Sequence, residues 1–144
     1  MLNMKENIKK KEFLVPSGLS EVSSASSKVL SFLKPLALSE AYRFDIRLCL
    51  EEALVNAIKY GHGFKKDLKV RVRVEYNHEE VRLTVEDQGR GFDLKKLQDC
   101  THDKYILRGH GRGVYLIHQL MNKVKYNSKG NRIQMVKSLK NPAL

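Results

Sequence analysis

Glu51-Glu52-Ala53-Leu54-Val55-Asn56-Ala57-Ile58-Lys59-Tyr60-Gly61-His62-Gly63 is the stretch on which the fold turns. It closes a run in which Tyr42, Ile46, Cys49, Leu50, Ala53, Leu54, Ala57 and Ile58 recur every three to four residues, the period of a helix with one buried stripe. Ser39 stands where an N-cap belongs, Glu40 falls in the first turn, and Gly61 and Gly63 stand where the chain leaves the helix. Within this helix Glu52 and Asn56 are four apart and project from one face, a turn from each other. Asparagine competes for backbone hydrogen bonds inside a helix, so its place beside an apolar stripe asks for a chemical reason. One is at hand: Mg²⁺ takes oxygen ligands and keeps water and phosphate in its shell, so a single amide oxygen suffices. A carboxylate one turn away then accepts the proton of an attacking hydroxyl or water. Taken alone, the pair reads more readily as the wet side of an amphipathic helix.

Outward from this helix the periodicity divides the chain. Residues 1–11 form a basic, apolar-poor tail, and Glu12–Pro16 is a candidate edge strand. Val22, Ala25, Val29, Leu33 and Leu36 give helical spacing over 19–38, with Pro35 ending or bending that helix. Downstream, the period falls to two. Val70, Val72, Val74 and Tyr76 alternate with polar residues, and after a turn at 77–80 so do Val81, Leu83 and Val85. Residues 93–108 are polar and poorly periodic, 111–121 read as a further helix, and 123–128 with 132–140 read as a hairpin turning at Lys129-Gly130-Asn131. Helices over one face of a mainly antiparallel or mixed sheet make an α/β two-layer sandwich, here spanning residues 12–140 between short tails at 1–11 and 141–144.

Two further motifs carry possible chemistry. Val85-Glu86-Asp87-Gln88-Gly89-Arg90-Gly91-Phe92 is a strand running into Asp-x-Gly-x-Gly. A carboxylate at a strand end accepts a hydrogen bond from an exocyclic amine such as that of adenine, and the glycines let backbone approach a ligand. An ordinary strand-end turn has the same composition. Gly109-His110-Gly111-Arg112-Gly113 opens the next helix, whose unpaired N–H groups and positive dipole end suit phosphate, a hinge being the competing reading. No GxxxxGK[ST] is present, and the glycines lack the preceding strand and following acid of a dinucleotide-binding unit.

Composition sets the outer bounds. A chain of 144 residues with 42% hydrophobic and 30% charged residues fits one domain with a real core. The net charge of +11 attracts phosphates, acidic proteins or anionic surfaces without choosing among them. No apolar run reaches bilayer length and the N-terminus lacks a signal-peptide core, so a cytoplasmic protein without membrane contact is expected. Cys49 and Cys100 are too few for a disulfide framework, and the histidines show no metal-ligand spacing. The basic residues are scattered, without a reading helix or aromatic platform, so no direct nucleic-acid binding is expected.

In this order, EEALVNAIKYGHG, EDQGRGFD and GHGRGVYLI resemble the N, G1 and G2 boxes of the GHKL ATPases, the class of gyrase, the heat-shock chaperone ATPase, histidine kinases and mismatch-repair ATPases. Within the class the chain is most similar to the stand-alone anti-sigma factor serine/threonine kinases, over about Phe13 to Leu139. The resemblance implies the GHKL fold and the cofactors ATP and Mg²⁺. It makes Glu52 the catalytic base, Asn56 the Mg²⁺ ligand and Asp87 the reader of the adenine amine. Gly89 and Gly91 would shape the nucleotide pocket, Gly109, Gly111 and Gly113 would cradle phosphates beneath a lid, and Arg108 and Arg112 would compensate charge at the transferring phosphate. It further implies an anti-sigma factor antagonist as substrate, an RNA polymerase sigma factor as second partner, and a homodimer. The competing functions are an ATP-dependent binding module without phosphotransfer and a detached histidine kinase catalytic domain. Two features depart from or blur the pattern: Gly130-Asn131 stands where relatives often carry Gly-Thr near the adenine, and Glu51 sits beside Glu52.

Overall fold

The computed structural model describes residues 7–61, 63, 67–89 and 110–139, with side chains in the last segment from Gly113 onward. Strand β1 (Lys9–Pro16) leads through a 3-10 turn (Leu19–Glu21) into helix α1 (Val22–Phe32), and a second 3-10 turn (Lys34–Leu36) leads to helix α2 (Glu40–Asn56). A π-helical turn (Ala57–Gly61) follows, then β2 (Lys69–Tyr76), β3 (Glu80–Glu86), helix α3 (His110–Leu120), β4 (Lys123–Tyr126) and β5 (Arg132–Ser138). The five strands are antiparallel in the order β1-β2-β3-β5-β4, an α/β two-layer sandwich.

The register sets which side chains meet the helices. Phe13 pairs with Val72, Val72 with Val85, and Val85 with Ile133, while Val74 pairs with Leu83 and Leu83 with Met135. Because side chains alternate across a strand, all of these share one face. Ile46, Cys49, Leu50, Ala53, Leu54, Ala57 and Ile58 of the central helix are buried with them, together with Val29 and Leu33 of α1 and Ile117 of α3. The opposite face carries Glu12, Arg71, Arg73 and Glu86, joined by exposed ion pairs of small energetic weight.

Polar contacts tie the layers. Lys137, on the inner face of β5, donates to Asp45 of α2 at 3.0 Å and to the Leu120 carbonyl ending α3 at 2.7 Å. A cation beneath two helices is satisfied by an acid and by an orphan helix carbonyl. Ser39 caps α2 as its side chain type requires, accepting from the Tyr42 N–H at 3.1 Å.

Several boundaries differ from the sequence-based expectations. The first strand begins at Lys9, not Glu12, because Lys9, Lys10 and Lys11 pair with Tyr76, Glu75 and Val74, so the end of the expected tail lies in the sheet. The single helix expected over 19–38 is split: α1 ends at Phe32, Pro35 sits in the 3-10 turn, and Ala37 takes a left-handed φ of 49°. The sheet is wholly antiparallel among the described residues. Helix α3 runs His110–Leu120 against the 111–121 expected, with Gly111 and Gly113 in its first turn. Among the described residues no helix is long and apolar enough to cross a membrane. Residues 93–108 and Cys100 lie outside the described residues.

Leu50, with no exposed surface at the centre of this core, is the sharpest probe of it. Leu50→Ala is expected to lower unfolding free energy by about 2–5 kcal/mol, read by urea denaturation, with the slope unchanged.

Candidate functional site

Glu51 and Glu52 are neighbours in sequence but serve different surfaces. Ser26 Oγ donates to Glu51 Oε2 at 2.5 Å and Arg47 Nη1 reaches the same oxygen at 3.2 Å, so Glu51 clamps α2 to α1. Glu52, rotated by about 100° around the helix, faces α3. A Cβ on Gly113 would collide with Glu52 Oε2 and lie 3.7 Å from Asn56 Nδ2. Glycine at 113 therefore lets the first turn of α3 seat directly on this pair. Asn56 is buried at 7% exposure. Burial raises the Glu52 pKa first, the charge of Glu51 raises it further, and Lys59 opposes both. A carboxylate so placed is a stronger base than an exposed one.

The end of β3 supplies the second wall. Asp87 is 4% exposed, and one carboxylate oxygen accepts from the Gly89 N–H at 2.7 Å. Burial pushes its pKa up to about 6 against the help of that hydrogen bond, with Glu86 adding repulsion and Lys129 relieving it. The carboxylate rests on Gly61, where a Cβ would lie 2.5 Å from Asp87 Cγ, and a Cβ on Gly89 would fall on the Gly61 carbonyl. Gly61 thus has a second reason to be glycine beyond ending a helix: nothing larger fits beneath Asp87.

Between these walls lies a narrow cleft lined by Ala53, Ala57, Val85, Val114, Ile117 and Ile133 with Asn56 and Asp87. Apolar sides with one buried carboxylate suit a flat heterocycle bearing an amine, and a helix N-terminus such as that of α3, which lends Val114 to the lining, leaves backbone N–H groups unpaired. The structure thus brings Glu52 and Asn56 to Gly113, and Asp87 to Gly89, with Asn56 and Asp87 lining one cleft. Gly91, Arg108 and Gly109 lie outside the described residues, and of Gly111 and Arg112 only the backbone in α3 is described. Sequence reasoning gives Gly61 no role beyond ending the helix: no periodicity marks it, since it matters through Asp87, far along the chain. Cys49 is inert: burial pushes its thiol up to about 12. Among the described residues no cluster of His, Cys, Asp and Glu could hold a metal.

Comparison with known proteins gives a concordant picture. Residues 15–137 match the histidine kinase-like ATPase domain family. The chain is 31% identical over 102 residues to a serine-protein kinase RsbW of Listeria monocytogenes, covering 65% of this chain and 64% of that protein. It is 29% identical over 142 residues to an anti-sigma F factor of Clostridium novyi, covering 95% of this chain and 98% of that protein. The matched region thus spans just under two thirds of the RsbW relative. Among solved structures, the RsbU and RsbW domains of a Mycobacterium tuberculosis protein superpose with a TM-score of 0.62 at 12% identity, over 90% of this chain and 32% of that one. The SiaB–SiaC complex of Pseudomonas aeruginosa gives 0.59 at 12% identity, over 90% and 88%. At that identity the likeness is one of fold.

Asp87 also makes a stability statement. Its folded pKa of about 6 stands above its ordinary 3.8, so the folded state retains the proton longer than the unfolded chain does. The stability it contributes is full below pH of about 4 and is lost as pH rises through about 6. Asp87→Asn, which keeps an acceptor for Gly89, is expected to raise unfolding free energy at pH 8 by about 1–3 kcal/mol, with the gain vanishing near pH 4. Urea denaturation at the two pH values checks it.

Proposed function

Because this chain belongs to the histidine kinase-like ATPase family, we propose that it binds Mg-ATP in the cleft between α2 and the end of β3 and phosphorylates a serine or threonine of an anti-sigma factor antagonist. The single observation that carries this reading is that Asn56 and Asp87, from two elements of the fold, line one apolar cleft, with Glu52 beside Asn56 against Gly113 in the first turn of α3. The names of the relatives, a serine-protein kinase and an anti-sigma F factor, support the substrate class.

Each residue then has a defined task. Asp87 accepts from the adenine amine, while Val85, Ala57 and Ile133 flank the ring. The Asn56 carboxamide oxygen would hold Mg²⁺, which supplies charge neutralisation to the phosphates when bound. Backbone N–H groups of α3 face the phosphates, with Gly91, Gly109, Gly111, Arg108 and Arg112 proposed as their further partners. Glu52 takes the proton of the attacking hydroxyl as its oxygen bonds to the γ-phosphorus and the bond to ADP breaks. Its raised pKa suits a base working near neutrality. Phosphorylating the antagonist would leave a sigma factor as the second partner, held by a homodimer of this chain.

Purified protein incubated with ATP, Mg²⁺ and the antagonist is expected to yield phosphoserine or phosphothreonine on the antagonist. Glu52→Gln should lower the transfer rate by about 10²–10⁴-fold while ATP affinity stays near wild type. Asn56→Ala should weaken ATP binding only when Mg²⁺ is present. Nucleotide binding with no phosphotransfer would sink the kinase reading, as would a fully active Glu52→Gln enzyme.

A further inference from the structure

The turn between β4 and β5 lines the cleft through Gly130, Asn131 and Arg132, and it carries a chain of polar contacts that no role above uses. Asn131 grips both main-chain polar groups of Asp87. Its Nδ2 donates to the Asp87 carbonyl at 2.8 Å, and its own carbonyl accepts from the Asp87 N–H at 2.9 Å. Asn127 fixes the Asn131 side chain in turn, donating from Nδ2 to Asn131 Oδ1 at 2.7 Å. The Oδ1 of Asn127 accepts from the N–H groups of Gly130 at 2.8 Å and Arg132 at 3.2 Å. Gly130, at φ +78°, closes the turn.

The chemistry of the partners forces both amide orientations. The Asp87 carbonyl only accepts, so Asn131 must present its NH₂ there and its oxygen to Asn127. The backbone N–H groups of Gly130 and Arg132 only donate, so Asn127 must turn its oxygen to them and its NH₂ to Asn131. A directed relay therefore runs from the turn backbone through two carboxamides to the main chain of Asp87. Asp87 is held from the opposite side by Gly89 and by the floor at Gly61. With its backbone clasped on one side and its carboxylate on the other, the remaining freedom of the acceptor is small.

We propose that Asn127 and Asn131 are positioning residues that fix Asp87 for the exocyclic amine of the bound purine, so that preference for an aminopurine nucleotide depends on this pair. The inference rests on the ATP-binding reading above. Neither asparagine needs to touch the nucleotide: each acts through Asp87. A threonine hydroxyl at 131, on a shorter arm, cannot serve both the Asp87 carbonyl and Asn127, so the carboxamide at this place makes a connection that a hydroxyl would not.

The test measures, by calorimetry on the whole chain with Mg²⁺, the affinities of ATP and of the triphosphate of unsubstituted purine riboside, which lacks the 6-amino group. Wild type is expected to prefer ATP. Asn131→Ala is expected to lose about tenfold in ATP affinity, the worth of one well-placed hydrogen bond, with the affinity for the amine-free analogue unchanged. Asn127→Asp keeps the acceptor for Gly130 and Arg132 but sets an oxygen against Asn131 Oδ1, so it should show the same selective loss on an intact turn. It carries the test by itself where Asn131→Ala does not fold. Equal weakening of both nucleotides, or no change in either, overturns the positioning role. Wild type that binds both nucleotides alike overturns it through Asp87, and wild type that binds neither overturns the ATP-binding reading with it.

Discussion

The site depends on one close approach: the backbone of Gly61, at the end of the π turn after α2, lies directly against the carboxylate of Asp87 at the end of β3. The two elements belong to different layers of the sandwich. Their meeting brings Asn56, carried on α2, to the same cleft as Asp87, with Glu52 one turn away against Gly113. A π turn adds a residue to the helical circuit and re-aims the chain beyond it, a device often found at functional sites. Here it delivers a residue without a side chain to a place where none would fit.

That approach constrains the rest of the site. Asp87 is desolvated by it, which raises its pKa and makes its ionised form costly in the free protein. The cost is tolerable because the Gly89 N–H holds one oxygen and the core elsewhere is well packed, with Val29, Ile46, Leu54, Leu83 and Met135 without exposed surface. A carboxylate under such strain of solvation gains most from a donor that arrives with a ligand. In the proposed ATP complex, instability in the free state and affinity in the bound state would have one source.

The acids on α2 show how one helix separates structure from chemistry. Glu51 is paired with Arg47 and held by Ser26, which fixes α1 against α2. Its charge nevertheless reaches Glu52, adding to the rise in the pKa that burial begins. The clamp and the proposed base are neighbours, so a change at Glu51 acts on both packing and proton affinity.

Much of this architecture was legible in sequence because local patterns are set by local geometry. The stripe Ile46, Cys49, Leu50, Ala53, Leu54 could face only one way, Ser39 capped as expected, and the alternation in 70–76 and 81–85 fixed which strand residues turn inward. Glu52 and Asn56 shared a face for the same reason. The order of strands, with β5 inserted between β3 and β4, had no local signal. Nor did the pairing of Lys9–Lys11 in β1, whose charge read as a solvated tail until a neighbouring strand was available to bond it. Spacing to Asn56 already favoured Glu52 over Glu51, but only tertiary structure tied Glu51 to Ser26 of α1, put Gly61 beneath Asp87 and joined Asn131 to the Asp87 backbone, 44 positions away. Periodicity reports which face of an element is wet or dry. Which element that face meets is decided by packing between segments remote in the chain, and there the chemistry of the site is made.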